Sequence, residues 1–462
     1  MGMSRIPRIE LQNPPSRPTL LYGGTVLTLD RNGTVHHNAE VMIDRGRIAA
    51  IGRAITAVPG TRLVDVQGCI ILPGLIQGHI HLGQTFFRGL AEDRHLLTWL
   101  RERIWPFEAA HDDESAYWCT LLGAAECLLS GTTTIQDIGL GPGVRGYLQG
   151  LVDSRLRSFG GKCLMDEGEG LPPGLAEDAD TSLADAESLG NEFDGAGKGR
   201  LNYAINPRFI LSCSDALWQG ARDLSKRRSW PIHTHALEHR EETDVVRSLK
   251  AGRDEIEYFD DEGVLDTDLR LAHGVWVESQ HHERMRRQRV SVVHCPSANL
   301  KLGSGIADIV GLRKARVSVG LGCDGAACNN HLDAFEEIRM AALLQKYKHG
   351  PAAFSGEDAL RLATHDGARA LGLQEEIGSL EIGKRADLVV LSTDRPDLWA
   401  DEHANLHDLV AFSASRAHVR HVFVEGETLV EDGRLTHLDL AMIRHQAERA
   451  LRDLLKRSGV EL

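Results

Sequence analysis

Aromatic residues make up only 5% of this 462-residue chain, and no apolar run approaches the roughly 20 residues that a membrane-spanning helix needs. Basic charge is also in deficit. Fifty-two Lys and Arg against 66 Asp and Glu leave a formal net charge of −14, which argues against a surface built to grip nucleic-acid phosphates or an anionic membrane. The eight cysteines (Cys69, Cys119, Cys127, Cys163, Cys213, Cys295, Cys323 and Cys328) include no Cys-x-x-Cys pair, so they read as reduced, mostly buried thiols of a cytoplasmic protein. The first 18 residues contain no apolar signal region and read as a loose polar lead-in. Gly2 does not open a myristoylation signal, because Ile6, followed by Pro7 and Arg8, stands where a Ser or Thr is wanted. "GAGKGR" (195–200) lacks the spacing and the following Ser or Thr of a phosphate loop. Small molecules remain as the expected partners.

The length predicts one large domain of about 250 to 350 residues with a smaller companion. Between Leu20 and Asp65, short β-type runs are broken by Gly and by Asn32-Gly33, and the same texture returns in "ADLVVLSTD" (386–394) and "VRHVFVEGETLVEDGRLT" (419–436). Two distant segments of one style predict a small β-sandwich built from both chain ends, residues 1–72 and 381–436, with a C-terminal helix over 437–462. Between them, over 73–380, eight apolar runs alternate with amphipathic stretches: 70–81, 131–139, 158–166, 201–209, 230–238, 269–277, 290–297 and 317–325. The spacer "DDESAYWCTLLGAAECLLSG" (112–131) opens on acids and closes on Gly131, as a helix does. Eight strands alternating with helices predict an α/β fold, a distorted (β/α)8 TIM barrel, with its chemistry at the C-terminal ends of the strands.

Those strand ends carry the distinctive residues. His79 and His81 close the first run, His235 the fifth, His273 the sixth and Asp324 the eighth. Residues i and i+2 of a strand point the same way, so the two imidazoles of His79-Ile80-His81 can serve one ion while Ile80 faces the outer layer. With 22 histidines in the chain, a lone one is more simply read as satisfied by a backbone carbonyl; five groups at matching strand ends reverse that preference. Nitrogen ligands with one carboxylate and an open position suit zinc first, and iron or another divalent metal second. Activated water leaves a proton to be moved, and Glu238, three residues beyond His235, is placed to take it and pass it to a substrate ring. Its plainer role is a helix N-terminal acid, which Glu241 and Glu242 fill equally well.

The runs "PGLIQGHIH", "HTHALE", "LAHG", "HCPSANLKLGSG", "GLGCDGAACNN" and "IGSLEIGKRADLVVL" together resemble the amidohydrolase superfamily, in its branch of mononuclear-metal deaminases and triazine hydrolases. The resemblance extends from about Leu20 to Gly433. It implies one divalent ion per chain held by His79, His81, His235 and Asp324, with His273 orienting the attacking water and Asp324 also shuttling a proton. Glu238, His273 and Asp324 are thus the implied catalytic residues. Two-metal members carry a modified lysine at the end of strand 4; "LNYAINP" has none, which predicts a single ion, and Lys162 is read as a packing lysine too early in its strand to substitute.

"LLTWLRERIWPFEA" resembles the segment that supplies an aromatic and a carboxylate to the ribose in adenosine-type deaminases, at Trp99 and Glu108. The Gly-Pro-His block common in nucleoside enzymes is replaced by "NPRFILSCS", which, with "GGKCLMD" and Gln84, is similar to guanine deaminases, in which an Arg and a Gln read the purine. Arg208 and Gln84 are those residues here. The implied activity is a zinc-dependent hydrolytic deamination of a purine-type ring, either a guanine-like base or an adenosine- or 5′-deoxyadenosine-like nucleoside. An s-triazine amino- or chlorohydrolase is the alternative, and a metal-free scaffold on the same fold a lesser one. His294, at the end of the seventh run, resembles a position in the shell behind the ligands. The resemblance also implies a homodimer or larger homo-oligomer. Cys323 and Cys328 flank Asp324 but are expected as buried neutral thiols, and "HHERMRRQR" (281–289) as a solvated helix face.

Overall fold

The computed structural model describes residues 17–399, 401 and 403–461; the polar lead-in, up to residue 16, and Gly2 lie outside them. Among the described residues no helix is long and apolar enough to cross a membrane.

The architecture is a TIM-barrel-like α/β core beside a β-sheet drawn from both chain ends. Eight parallel segments follow one another: Leu75–His81, Thr132–Asp137, Arg157–Gly160 continued at Cys163–Leu164, Leu201–Tyr203 continued at Asn206–Pro207, Ile232–Ala236, Leu269–His273, Ser291–His294, and Ser318–Leu321 continued at Asp324–Gly325. Neighbours pair in parallel from the first to the fourth. A single bridge, Ile205 to Ile232, joins the fourth to the fifth, and the ladder then runs to the eighth. The eighth pairs back onto the first through Asp324 opposite Ile80.

Several of the connecting helices begin where the sequence offers a cap. Asp112 accepts the Ser115 backbone N–H at 2.8 Å and opens the helix Asp113–Leu129, satisfying one of the donors that a helix start leaves unpaired. The helix His282–Arg287 keeps its arginines outward, as "HHERMRRQR" predicts. His281 departs from that expectation: it is buried, with Nε2 2.7 Å from Asp254 Oδ2.

The run 70–81, expected as one strand, is two. Cys69–Pro73 belongs to the terminal sheet and Leu75–His81 to the parallel core. Gly74 makes the turn between them possible, because a Cβ there would lie 2.1 Å from Thr133 Oγ1. The terminal sheet has nine strands, and its halves meet where Cys69–Pro73 pairs antiparallel with Leu388–Ser392. It is fastened to the core by Arg157, whose Nε and Nη2 donate to the two Asp387 oxygens at 2.9 and 3.1 Å with both side chains buried. Removing one partner of such a pair costs about 3–5 kcal/mol, because the other charge is left out of water unmatched. The helix Leu440–Ser458 closes the chain against Asp113–Leu129, where Arg457 Nη1 lies 3.1 Å from Asp112.

Candidate active site and metal centre

The first strand delivers His79 and His81 to the same inward side, both buried, with Ile80 in the hydrophobic core behind them. Gly322 lets the eighth strand close on this point, since a Cβ there would stand 2.5 Å from the His79 carbonyl oxygen. Asp324 is thereby placed with Oδ1 at 3.3 Å from Nε2 of His79 and 3.3 Å from Nε2 of His81. From the fifth strand, His235 Nε2 comes to 3.1 Å from His81 Nε2. From the sixth, His273 Nε2 lies 3.5 Å from Glu238 Oε2 and 3.9 Å from Asp324 Oδ2. The five strand-end groups and Glu238, far apart in sequence, meet. His273 and Asp324 hold φ of +74° and +63°, a region that non-glycine residues enter at a cost and that clusters at functional sites.

The hydrogen bonds on the far side of three of these rings bear on what the near side offers. His235 Nδ1 donates to the Arg208 carbonyl at 2.7 Å and His273 Nδ1 to Asn299 Oδ1 at 2.9 Å, while His79 Nδ1 lies 2.9 Å from His233 Nε2. A neutral ring that donates through Nδ1 presents a lone pair at Nε2. His79 Nε2 and His273 Nε2 are buried without a hydrogen-bond partner, a loss that folded proteins seldom leave standing. Ligand atoms of His79, His81 and His235, and likewise of His79, His273 and Asp324, lie within 4.8 Å of one another. This donor set fits a divalent ion.

Electrostatics sharpen the division of labour. Burial lowers all four imidazoles, His81 and His235 furthest. Burial would raise the Asp324 carboxyl, but His79, His273 and His235 around it overcome that and hold it well below the ordinary carboxylate range. Glu238 is driven the opposite way, by burial and then by the charge of Asp324. Two carboxyl groups pushed apart in this manner are suited to different proton roles.

The pocket above them is lined by His81, Gln84, Trp99, Arg208, His235, Glu238, His273 and Asp324, together with Leu96, Leu100, Phe209 and Leu302. Trp99 ends the helix Leu96–Trp99, where the chain widens into a π-helical stretch, Leu100–Ile104, a feature frequent at functional sites. Its indole nitrogen is buried and unpartnered. Glu108 does not line the pocket; it sits behind Arg208 and Gln84. His294 is buried with neither ring nitrogen hydrogen-bonded, and burial pushes it down to about 3. Lys162 is buried and paired with Asp185 at 3.1 Å. Cys323 and Cys328 are buried thiols raised by desolvation.

Three further residues belong to this site, of which the sequence reading named Glu242 alone, as a helix N-terminal acid. His233 and Asn299 orient ligand-bearing rings, and Glu242 Oε2 accepts the backbone N–H groups of Glu238 at 2.9 Å and His239 at 3.3 Å. His233 shares its i, i+2 spacing with His235, the one signal that could have found it.

Comparison with known proteins agrees with this geometry. A family model described as "Amidohydrolase family" matches residues 70–429. A 5′-deoxyadenosine deaminase of Methanobrevibacter smithii is 34% identical over 421 residues, covering 91% of this chain and 94% of that one. The crystal structure of an adenosine deaminase from Xanthomonas campestris with bound zinc superposes with a TM-score of 0.88 at 29% identity, covering 96% of this chain and all of that one. The guanine deaminase of E. coli superposes with a TM-score of 0.81 at 25% identity, over 90% of this chain and 99% of that one. With more than half of its length matched by the family model, the chain belongs to the amidohydrolase family.

Proposed function

We propose that this protein is a hydrolytic deaminase that removes an amino group, as ammonia, from a purine-type heterocycle: a guanine-like base or an adenosine- or 5′-deoxyadenosine-like nucleoside. The observation that carries the reading is the convergence of His79, His81, His235, His273, Asp324 and Glu238 on one buried pocket. His79, His81, His235 and Asp324 would hold one divalent ion, zinc by the match of its preference for nitrogen and carboxylate ligands. When bound, such an ion supplies the Lewis acidity that lets water attack at neutral pH.

The chain's own groups do the rest. Glu238 accepts a proton from the attacking water and delivers it to the ring nitrogen beside the amino-bearing carbon; the burial that favours its neutral form stabilises the intermediate state of that transfer. Asp324, kept ionised by the imidazoles, accepts the second proton and returns it to the departing amine. His273, fixed by Asn299, presents its Nε2 lone pair to the attacking water and orients it. Trp99 and Phe209 supply flat apolar walls for a ring, and Arg208 and Gln84 supply donors and an acceptor along its edge.

The same reading assigns a distorted (β/α)8 barrel over 73–380, a β-sandwich from 1–72 and 381–436, and a C-terminal helix from 437. Eight buried, unpaired thiols support a reducing, cytoplasmic setting. Ammonia release by the zinc-loaded protein on guanine, adenosine, 5′-deoxyadenosine and aminotriazines tests it. Release from a purine is the expected result; release from triazines alone overturns the substrate class, and release from none overturns the reaction.

A further inference from the structure

Glu108 is sequestered by the two residues that face the substrate. Its Oε1 accepts from Gln84 Nε2 at 2.9 Å and its Oε2 from Arg208 Nη1 at 2.6 Å. The three residues are 2%, 1% and 3% exposed, in the order Glu108, Gln84, Arg208. Gln84 and Arg208 line the pocket and Glu108 does not. A carboxylate bonded through both oxygens, out of water, to a guanidinium and an amide is a fixed part of the wall, and a guanidinium held at one nitrogen keeps its remaining N–H groups for another acceptor.

We propose that Glu108 is a positioning residue that locks Arg208 and Gln84 as paired readers of a heterocycle edge, and that the pocket consequently reads the ring and not the 2′,3′-diol of a ribose. The proposal rests on the purine reading above and narrows it. A diol is recognised by an acceptor, ordinarily a carboxylate. Among the described residues, the carboxylates lining this pocket are Glu238 and Asp324, and both are committed to the reacting centre, 3.5 Å from His273 and 3.3 Å from His79. Away from that centre the lining is Leu96, Trp99, Leu100, Phe209 and Leu302, which contact a ring face or a deoxygenated sugar without hydrogen bonds. What remains polar is Arg208, a donor, and Gln84, whose Oε1 is buried without a partner. That pair matches an oxo group beside a ring N–H. Arg208 also gives its backbone carbonyl to His235 Nδ1, so locking this residue fixes the ring edge relative to the reacting centre.

The test is calorimetric binding of product-type ligands to the zinc-loaded protein: xanthine, inosine and 2′,3′-dideoxyinosine, with wild type and E108Q. The proposal expects inosine and dideoxyinosine to bind within about twofold of each other in wild type, because no group bonds the diol. In E108Q, xanthine is expected to weaken about tenfold or more while the inosine to dideoxyinosine ratio stays unchanged. A general loss of packing does not produce that split, and the wild-type comparison stands even if the variant folds poorly. The proposal is overturned if dideoxyinosine binds about tenfold or more weakly than inosine in wild type, the gap vanishing in E108Q. Absence of binding by all three rings overturns the purine reading itself, and the proposal with it, a pattern distinct from a sugar-dependent one.

Discussion

His79 Nδ1 lies 2.9 Å from His233 Nε2, one layer beneath the cluster of ligand nitrogens. If His79 donates here, its Nε2 is left bare toward Asp324 and its ring cannot rotate. Groups that orient a ligand in this way typically contribute 10–100-fold, roughly, to metal affinity. His233→Ala is therefore expected to weaken zinc binding by about that factor in a chelator competition. Unchanged affinity would reduce His233 to packing.

Glu238 has Oε1 buried without a partner and Oε2 near His273, the arrangement of a group kept free for proton transfer. Glu238→Gln retains the shape and removes the proton traffic. We expect kcat to fall by roughly 10²–10⁴-fold while zinc content and KM change little. A comparable loss of zinc would instead make Glu238 part of the ion's support.

Glu242 holds Glu238 from behind, bonding the N–H groups that follow Leu237, a residue at φ +56°. Glu242→Gln leaves one acceptor oxygen for these donors. Small misplacements of a proton-transfer group reduce the rate without abolishing binding. The expected outcome is a fall in kcat of about tenfold with KM and zinc content retained; a helix that merely lost its cap would lower Tm and leave kcat alone.

Glu337 reports on stability through a carboxyl that takes no part in the proposed chemistry. It is buried and accepts from Ser297 N–H and Asn329 Nδ2 at 3.1 and 2.9 Å, yet burial pushes its carboxyl up to about 7 from an ordinary 4.5. Between those values the folded state binds more protons than the unfolded chain, so this group's contribution falls as pH rises through that window. Glu337→Gln removes that dependence. Its Tm relative to wild type should rise between about pH 5 and about pH 8, by an amount equivalent to roughly 3 kcal/mol at most. A Tm difference independent of pH would contradict the raised carboxyl.

Much of the site was legible because strands are periodic. The i, i+2 histidines announced a shared face, and the ends of the apolar runs located His235, His273 and Asp324. The break at Gly74 was not legible, because the clash that demands glycine is with Thr133, which no local pattern connects to it. The segment around Glu108 suggests a sugar contact, and its bonds to Arg208 and Gln84 are long-range contacts that spacing does not encode. Asn299 and Glu242 sit on helices whose polar residues look alike until the rings and N–H groups they serve are in place. His281 was misjudged as solvated for the same reason, since Asp254 reaches it only through the fold.

The most direct test of the central claim is the metal content of the purified protein, measured by plasma mass spectrometry per mole of chain. The expected result is close to one divalent ion per chain, predominantly zinc. Two ions per chain, or none after supplementation with zinc, would contradict a mononuclear centre built by His79, His81, His235 and Asp324.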